Sequence, residues 1–552
     1  MIFCNMYFVF YEEEGVVLRV LKVLPCLIFI LFLGACSNRQ DDIYSQALSS
    51  QAESSLLEPT ASEPFGDVDY DDPDYIGPPA PGPDAQLTPA PDDDLSGTLV
   101  IKAFQQSLAQ PELYWLAREF MELHPNVTIK LDYDWKYSEN LSLDERSRRQ
   151  DAFYARVRTE IAAGEADYLL YGGAETMDYY RFGKNGALED LRPYWENDPE
   201  IDPEAYFLPV IEAFDVEGKL PVIPYSFRVR GVSLDKKRLE AVGVDPESIV
   251  TVNSDQLLTW YEQARESDPD LQLFFTAPGK DTLFQVERIR YTDFETKTAS
   301  FDSQEFVTFL ERSQNVINDD PDLEPINELS RGYAVIFDQS IAYQETGKVS
   351  PYIQMPEEMN YWEHMATLGR SSLAVEENVQ MVQLTSCLYP LEHISGPYPL
   401  VSTDGHLGIS VGTDNFAMPA SLKNKDLAWE FIKYCLSERD DLTFDRYGYN
   451  GCAYYCNGIP VNRAMYRLMA EDMPNYVKSD GTVGFALYQF EEVDGQAMEK
   501  LMDEILTMAP VSLGKYNLDV DDYLEEFYVN ELTTAEECAQ QIQSRATIWI
   551  NE

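Results

Sequence analysis

The stretch GISVG, residues 408–412, matches G-x-S-x-G, a pattern that presents a serine nucleophile on a tight strand-to-helix turn. With His406 and Asp414 close to Ser410, acyl-transfer hydrolysis is the first chemistry to weigh. That chemistry needs Ser410 between a strand and a helix, with its acid and histidine arriving from later loops. Here Ser410 falls inside a strand-like alternation, the next helical pattern opens only near Asn424, and no histidine follows Ser410. Order and context disfavour a hydrolase, and Ser410 reads as a strand residue. Facing carboxylates for glycoside hydrolysis carry no signal either, because 96 acidic residues make some such pair inevitable by chance. No residue is assigned a catalytic role, and the chain reads as a binding protein and not as an enzyme.

Charge and composition narrow the partners. A formal net charge of −55 leaves no basic footprint to displace phosphate counterions, which excludes nucleic acid. It also disfavours a polyanionic ligand, although a local basic pocket would defeat that inference. The four histidines show neither HExxH spacing nor a neighbouring CxxC pair, so no metal site and no cofactor is expected. "DVDYDDPDY" (67–75) resembles the start of a calcium loop, but Asp72 stands where the turn glycine belongs and no Glu closes the loop.

The apolar run from Val20 to Ala35 is interrupted by Lys22 and Pro25, preceded by Arg19 and closed by Gly34 and Ala35. That is the charge and size order of an export signal, and its uninterrupted part is short for a permanent span. Leu33-Gly34-Ala35-Cys36 resembles the lipobox of bacterial lipoproteins, which implies removal of 1–35 and acylation (palmitate) of Cys36. From Gln40 to Ser96 there are 14 Asp or Glu and no Lys or Arg, with Pro-rich patches such as "IGPPAPGPDAQLTPAPDDD". Such a segment buries too little apolar surface to offset its chain entropy, so 36–96 reads as a disordered tether. The expected location is the outer face of the cell membrane. Of eight cysteines, Cys4 and Cys26 leave with the leader and Cys36 is lipidated. An odd set remains, Cys387, Cys435, Cys452, Cys456 and Cys538, which one chain cannot fully pair.

Elements able to position a site begin at "GTLVIKAFQQ" (97–106), a buried-strand pattern. A helix follows with Leu113, Leu116, Phe120 and Leu123 on one face, then the strand "VTIKLDYD" (127–134). A second helical pattern, "RQDAFYARVRTEIAAGEA", leads into "DYLLYGG" (167–173). Strand, helix, strand, helix, strand calls for a parallel sheet, whose ligands lie outside the carboxyl ends of its strands. Those ends are Gln105-Gln106 and Tyr171-Gly172-Gly173.

The order "EFMELHPNVTIKL", "IAAGEADYLLYGG", "NGALEDLRPYW", "LPVIPYSFRVRGVSLDKKRLEAVGV" resembles the N-terminal half of the extracellular solute-binding proteins of family 1. Later, "GISVGTDNFAMPASLKNKDLAWEFIKYCLSERD" (408–440) and "NGIPVNRAMY" (457–466) are similar to that family's return to the first lobe and its late turn. The likeness covers roughly 97–240 and 400–470 and lies in order and spacing. It implies an α/β, two-lobe periplasmic-binding-protein-like fold of type II, each lobe a mainly parallel sheet flanked by helices, with crossing hinge segments. Lobe one would take 97–205 and 366–438, and lobe two 206–365 and 439–552. The acidic stretches 319–330 and 470–484 read as insertions. The implied function is capture of a small solute, most favourably a sugar or oligosaccharide, and delivery to the permease subunits of an ABC importer. The same fold also suits a lipoprotein that hands its liganded form to a membrane sensor.

A sugar site combines aromatic platforms with Asp, Asn, Gln or Arg partners. At strand ends and crossings the candidates are Gln105, Gln106, Tyr171, Gly172, Tyr225, Phe227, Arg228, Asp338 and Asp414, with core packing the competing reading for every aromatic among them.

Overall fold

Along the first strand, β1 (Gly97–Gln106), Leu99, Ile101 and Ala103 are all buried, the signature of a strand inside a sheet. It heads the computed structural model of the protein, which describes residues 95–106, 112–136, 143–174, 176–269, 271–274, 279–316, 372–378, 394–411, 415–438, 458–468, 495–528 and 530–551. The leader, Cys36, nearly all of the tether, the two acidic stretches, Asp338, Asp414, Cys387, Cys452 and Cys456 lie outside those residues.

In chain order the remaining strands begin with β2 (Val127–Lys136), β3 (Leu169–Tyr171), β4 (Val222–Pro224), β5 (Ser226–Asp235), β6 (Val252–Asn253) and β7 (Gln272–Phe274). A small hairpin follows, β8 (Thr292–Asp293) with β9 (Thr298–Ala299). The last six are β10 (Ser372–Asn378), β11 (Ile394–Val401), β12 (Leu407–Ser410), β13 (Asn415–Ala417), β14 (Ile459–Pro460) and β15 (Pro510–Ser512).

The first sheet has the order β2-β1-β3-β13-β4. Its β2, β1 and β3 are parallel, as the alternation of strands and helices requires, while β13 returns late in the chain and runs antiparallel to both β3 and β4. Helices Glu112–Leu123 and Lys425–Leu436 meet through Phe120 and Phe431, whose rings pack edge-on at 5.4 Å. Phe431 also packs edge-on against Phe416 of β13, 6.1 Å away, so the late helix and late strand close one core with the early elements.

The second sheet runs β15-β12-β11-β5-β10-β7, with β14 and β6 added to β5 and β11. It departs from the expected parallel arrangement: β5 is antiparallel to β10, β11 and β12, and only β6, β7 and β15 join in parallel. The reason lies in how β5 arrives. It is handed across directly from β4 of the first sheet, so no helical crossover imposes a parallel direction on it. Its core joins Val232 and Leu234 to Leu257 and Tyr261 of helix Ser254–Arg265, Phe306 of helix Gln304–Gln314, and Ile542 of helix Ala535–Asn551. Asn253 and Gln256 cap the first of these helices reciprocally, each side chain accepting from the other's backbone N–H.

The sheets exchange chain at Tyr225, the single residue between β4 and β5, and again between Ser410 and Asn415. The expected lobe boundaries fall at 205/206, 365/366 and 438/439; in sheet membership β4 belongs to the first sheet and β10 to β12 to the second. The late segments also divide. Met465, Tyr466, Met498 and Met502 pack with the first core, whereas Leu524, Phe527 and Cys538 pack with the second. Cys435 and Cys538 are buried in different cores and form no disulfide.

Candidate functional site: a cavity between the two sheets

A cavity of about 520 Å³ lies between elements of the two sheets' halves of the fold. Its wall on the first-sheet side holds Arg158, from helix Leu143–Ala163, and Thr176, from the turn after β3. On the other side stand Arg230 of β5, Ser410 of β12, and Gln285 and Arg288 from helix Gly279–Glu287 and the residue after it. The segment 513–524, which follows β15, completes the lining with Leu513, Gly514, Asn517, Asp519 and Asp521 among others.

Two of the guanidiniums are aimed by main-chain carbonyls. Arg158 Nη1 donates to Thr176 O at 3.1 Å, tying the helix to the turn, and Arg288 Nη2 donates to Leu513 O at 3.2 Å. Arg288 is 8% exposed, whereas Arg158 and Arg230 are half-buried. Gly514 comes so close to the first lobe that a Cβ there would lie 2.4 Å from Ala174 O. Beside it, burial pushes the Tyr516 hydroxyl up to about 12. Burial also lowers the pKa of the Lys515 ammonium, against the opposing pull of Asp215 and Glu217.

Of the segment at the carboxyl end of β3, Thr176 lines the cavity, whereas Tyr171 and Gly172 are not among its lining residues. Tyr171 is buried, its ring 5.2 Å from Phe416, because β3 lies in the middle of the sheet where both faces are covered. Gly172 and Gly173 adopt φ of +88° and +99°. Gly172 N–H donates to Asn415 O at 2.8 Å, and Gly173 O accepts from Met177 N–H at 2.6 Å, so the pair makes the turn that delivers Thr176. A Cβ on Gly173 would meet the Tyr154 ring at 2.8 Å. Tyr225 and Phe227 are also buried, Phe227 edge-on to Phe207 at 5.8 Å.

Arg228 is half-buried and pairs in register with Ser410. It lies two residues from Arg230 on the same face of β5, while Phe227 and Val229 occupy the other face and are fully buried. That alternation, F-R-V-R, was the available signal for Arg230. Gln105 and Gln106 end β1 opposite Trp135 and Lys136 of β2. For Arg158 and Arg288 the sequence offered none: one sits in helix Leu143–Ala163 and the other just after helix Gly279–Glu287.

Ser410 is followed by a strand, β13, and not by a helix, so it occupies no nucleophile elbow. His406 Nδ1 lies 3.0 Å from Asp404 Oδ1 in the turn before β12. Among the described residues no group of His, Cys, Asp and Glu is arranged to hold a metal ion, and no helix is long and apolar enough to cross a membrane. A second cavity of about 290 Å³ lies within the second lobe, between Glu287, Arg290, Thr403 and Arg312. Motion of the lobes does not act on it.

No protein-family model matches the chain, and no curated protein matches it. Among solved structures the chain is similar to an extracellular solute-binding protein family 1 from Alicyclobacillus acidocaldarius, at 13% identity and a TM-score of 0.46 over 84% of this chain and 100% of that one. It is similar to the sugar-binding protein MalE from Xanthomonas citri, at 14% identity and a TM-score of 0.48 over 82% and 98%. It is likewise similar to a periplasmic oligogalacturonide binding protein from Yersinia enterocolitica, at 15% identity and a TM-score of 0.48 over 82% and 99%. With identities this low and TM-scores under 0.5 these are likenesses only; what bears on function is the pair of sheets, their crossings and the cavity they share.

Proposed function

We propose that the protein is a solute-binding receptor, held at the outer face of a membrane by a lipid on Cys36, that captures a small carbohydrate between its lobes and delivers it to an ABC importer. One observation carries the reading. The 520 Å³ cavity draws its walls from the side of the first sheet, through Arg158 and Thr176, and from the second sheet, through Arg230 and Ser410, and among the described residues the chain passes between the sheets at Tyr225 and between Ser410 and Asn415. Such a cavity has the size of a small-molecule site, about 300–1,000 Å³, and rotation about the crossings opens and closes it. Gln285, Ser410, Asn517 and Thr176 offer the neutral hydrogen-bonding groups that sugar hydroxyls need.

The test is a thermal-shift screen of mono- and oligosaccharides, amino acids and peptides, followed by small-angle scattering with whatever binds. A bound solute should raise the melting temperature by mass action and reduce the radius of gyration. A ligand that stabilises without compaction counts against capture by closure. For the anchor, Cys36→Ser should move the protein out of the detergent phase on phase partitioning; unchanged partitioning removes the lipid from the reading.

A further inference from the structure

Glu287, the last residue of helix Gly279–Glu287, is 1% exposed and lines the second cavity, of about 290 Å³, while its neighbour Arg288 lines the larger one. Thr403, in the turn between β11 and β12, donates to Glu287 Oε1 from its backbone N–H and from its hydroxyl, each at 2.7 Å. Both bonds fall on one oxygen. Oε2 has no hydrogen bond among the described residues, and the fully buried hydroxyl of Ser254 nearby has none either. Burial pushes the Glu287 carboxyl up, against the pull of Thr403, Ser254 and Arg290, which marks a buried acid short of a counter-charge. The guanidiniums of the wall do not supply one. Arg312 is committed to Asp255 and to both oxygens of Glu262, with Thr259 as a further partner. Arg290 is exposed and screened by solvent, forms no ion pair among the described residues, and gives its Nη1 to the Tyr291 hydroxyl at 3.3 Å. Glu305, also exposed, adds a carboxylate at the rim, and the buried Leu258 and Phe309 supply an apolar wall. An anion here would meet a buried carboxylate, and no group of His, Cys, Asp and Glu among the described residues is arranged to hold a metal ion.

We propose that this cavity within the second lobe is a binding site for a small primary ammonium, an organic cation with a short alkyl body, held by Glu287. Oε2 of Glu287 accepts a charge-assisted hydrogen bond from the ammonium, Leu258 and Phe309 cover its carbon chain, and Glu305 adds attraction from the rim. The volume, just under the roughly 300–1,000 Å³ of drug-sized sites, limits that chain to a few carbons. The inference stands or falls without regard to what the larger cavity takes.

The test is titration calorimetry of the full chain with n-propanol and with the chlorides of n-propylammonium, tetramethylammonium and calcium, at physiological salt to suppress loose attraction to an acidic surface. n-Propylammonium should bind saturably, and roughly tenfold or more tightly than n-propanol, which lacks its charge, or tetramethylammonium, which lacks its N–H groups. Glu287→Gln keeps an acceptor for Thr403 and removes the charge, and it should weaken n-propylammonium on the order of 10–100-fold. Arg290→Gln, at an exposed position, should strengthen it a few-fold by removing a competing cation, and it keeps the site open to refutation should Glu287→Gln unfold. Heat that does not saturate, or that both variants leave unchanged, overturns the site. Equally tight n-propanol overturns the role of charge, equally tight tetramethylammonium overturns the hydrogen bond to Oε2, and displacement of the amine by calcium overturns the organic ligand in favour of a metal.

Discussion

Tyr180 of the first lobe and Phe294 of the second stand ring to ring, with centroids 4.5 Å apart. The Lys515 ammonium lies over both, 5.3 Å from the Tyr180 ring and 5.1 Å from that of Phe294. Phe294 is backed in turn by Tyr516 and Trp549. The lobes therefore touch through an aromatic and cation–π contact outside the cavity, and rotation about the crossings must break it. Tyr180→Ala should remove on the order of 1–2 kcal/mol from the closed arrangement, a factor of roughly 5–30 in its population. The check is small-angle scattering of the unliganded variant, where a larger radius of gyration is expected. An unchanged profile sets this contact aside as a determinant of closure.

Gly514 provides a second test of the same boundary. Its absent side chain lets the 513–516 turn sit against Ala174 O and the Tyr179 ring, and a Cβ would approach these at 2.4 and 3.3 Å. Because the nearer obstacle is backbone, it cannot swing aside. Gly514→Ala should act as a wedge costing about 1–3 kcal/mol, and it should weaken ligand binding as well as lower the melting temperature. Wild-type values for both would show that the turn can retreat.

A pH-dependent contribution is expected at Asp198. Burial pushes this carboxyl up, but hydrogen bonds from Trp429 Nε1 and Glu200 N–H, together with the Lys433 ammonium, outweigh it and hold the group below its ordinary value. A depressed native value means that the unfolded chain binds the proton more readily. The contribution is therefore complete above the ordinary aspartate range and disappears as pH falls through the lowered native value. Asp198→Asn should cost roughly 1–3 kcal/mol at neutral pH, and denaturation curves of the two proteins should converge in acid. A pH-independent difference would falsify the ionic account and leave only a geometric one.

Tyr171→Ala separates the strand-end reading from the core reading. With its ring against Phe416 in the middle of the first sheet, truncation should cost about 3–5 kcal/mol and several degrees of melting temperature. Any loss of affinity should then follow the loss of stability. A stably folded variant with selectively reduced binding would return Tyr171 to the cavity wall.

Local pattern alone determined much of the first lobe. The buried run of β1, the apolar face of helix Glu112–Leu123 at Leu113, Leu116 and Phe120, and the glycine turn after β3 are short-range consequences of periodicity and backbone freedom. The parallel order of the first three strands followed from their alternation with helices, and Arg228 lies on the same face of β5 as Arg230. What only the tertiary structure decided is which distant segments meet. That β13 inserts between β3 and β4, burying Tyr171, depends on a pairing across more than half of the described chain. The meeting of Arg158, Arg230, Arg288, Ser410 and Leu513 depends on the two sheets' halves of the fold meeting across single-residue and few-residue crossings. No local propensity encodes such contacts, because a helix arginine has the same periodicity whether it faces solvent or a cleft; burial by a partner segment is a property of the assembled fold.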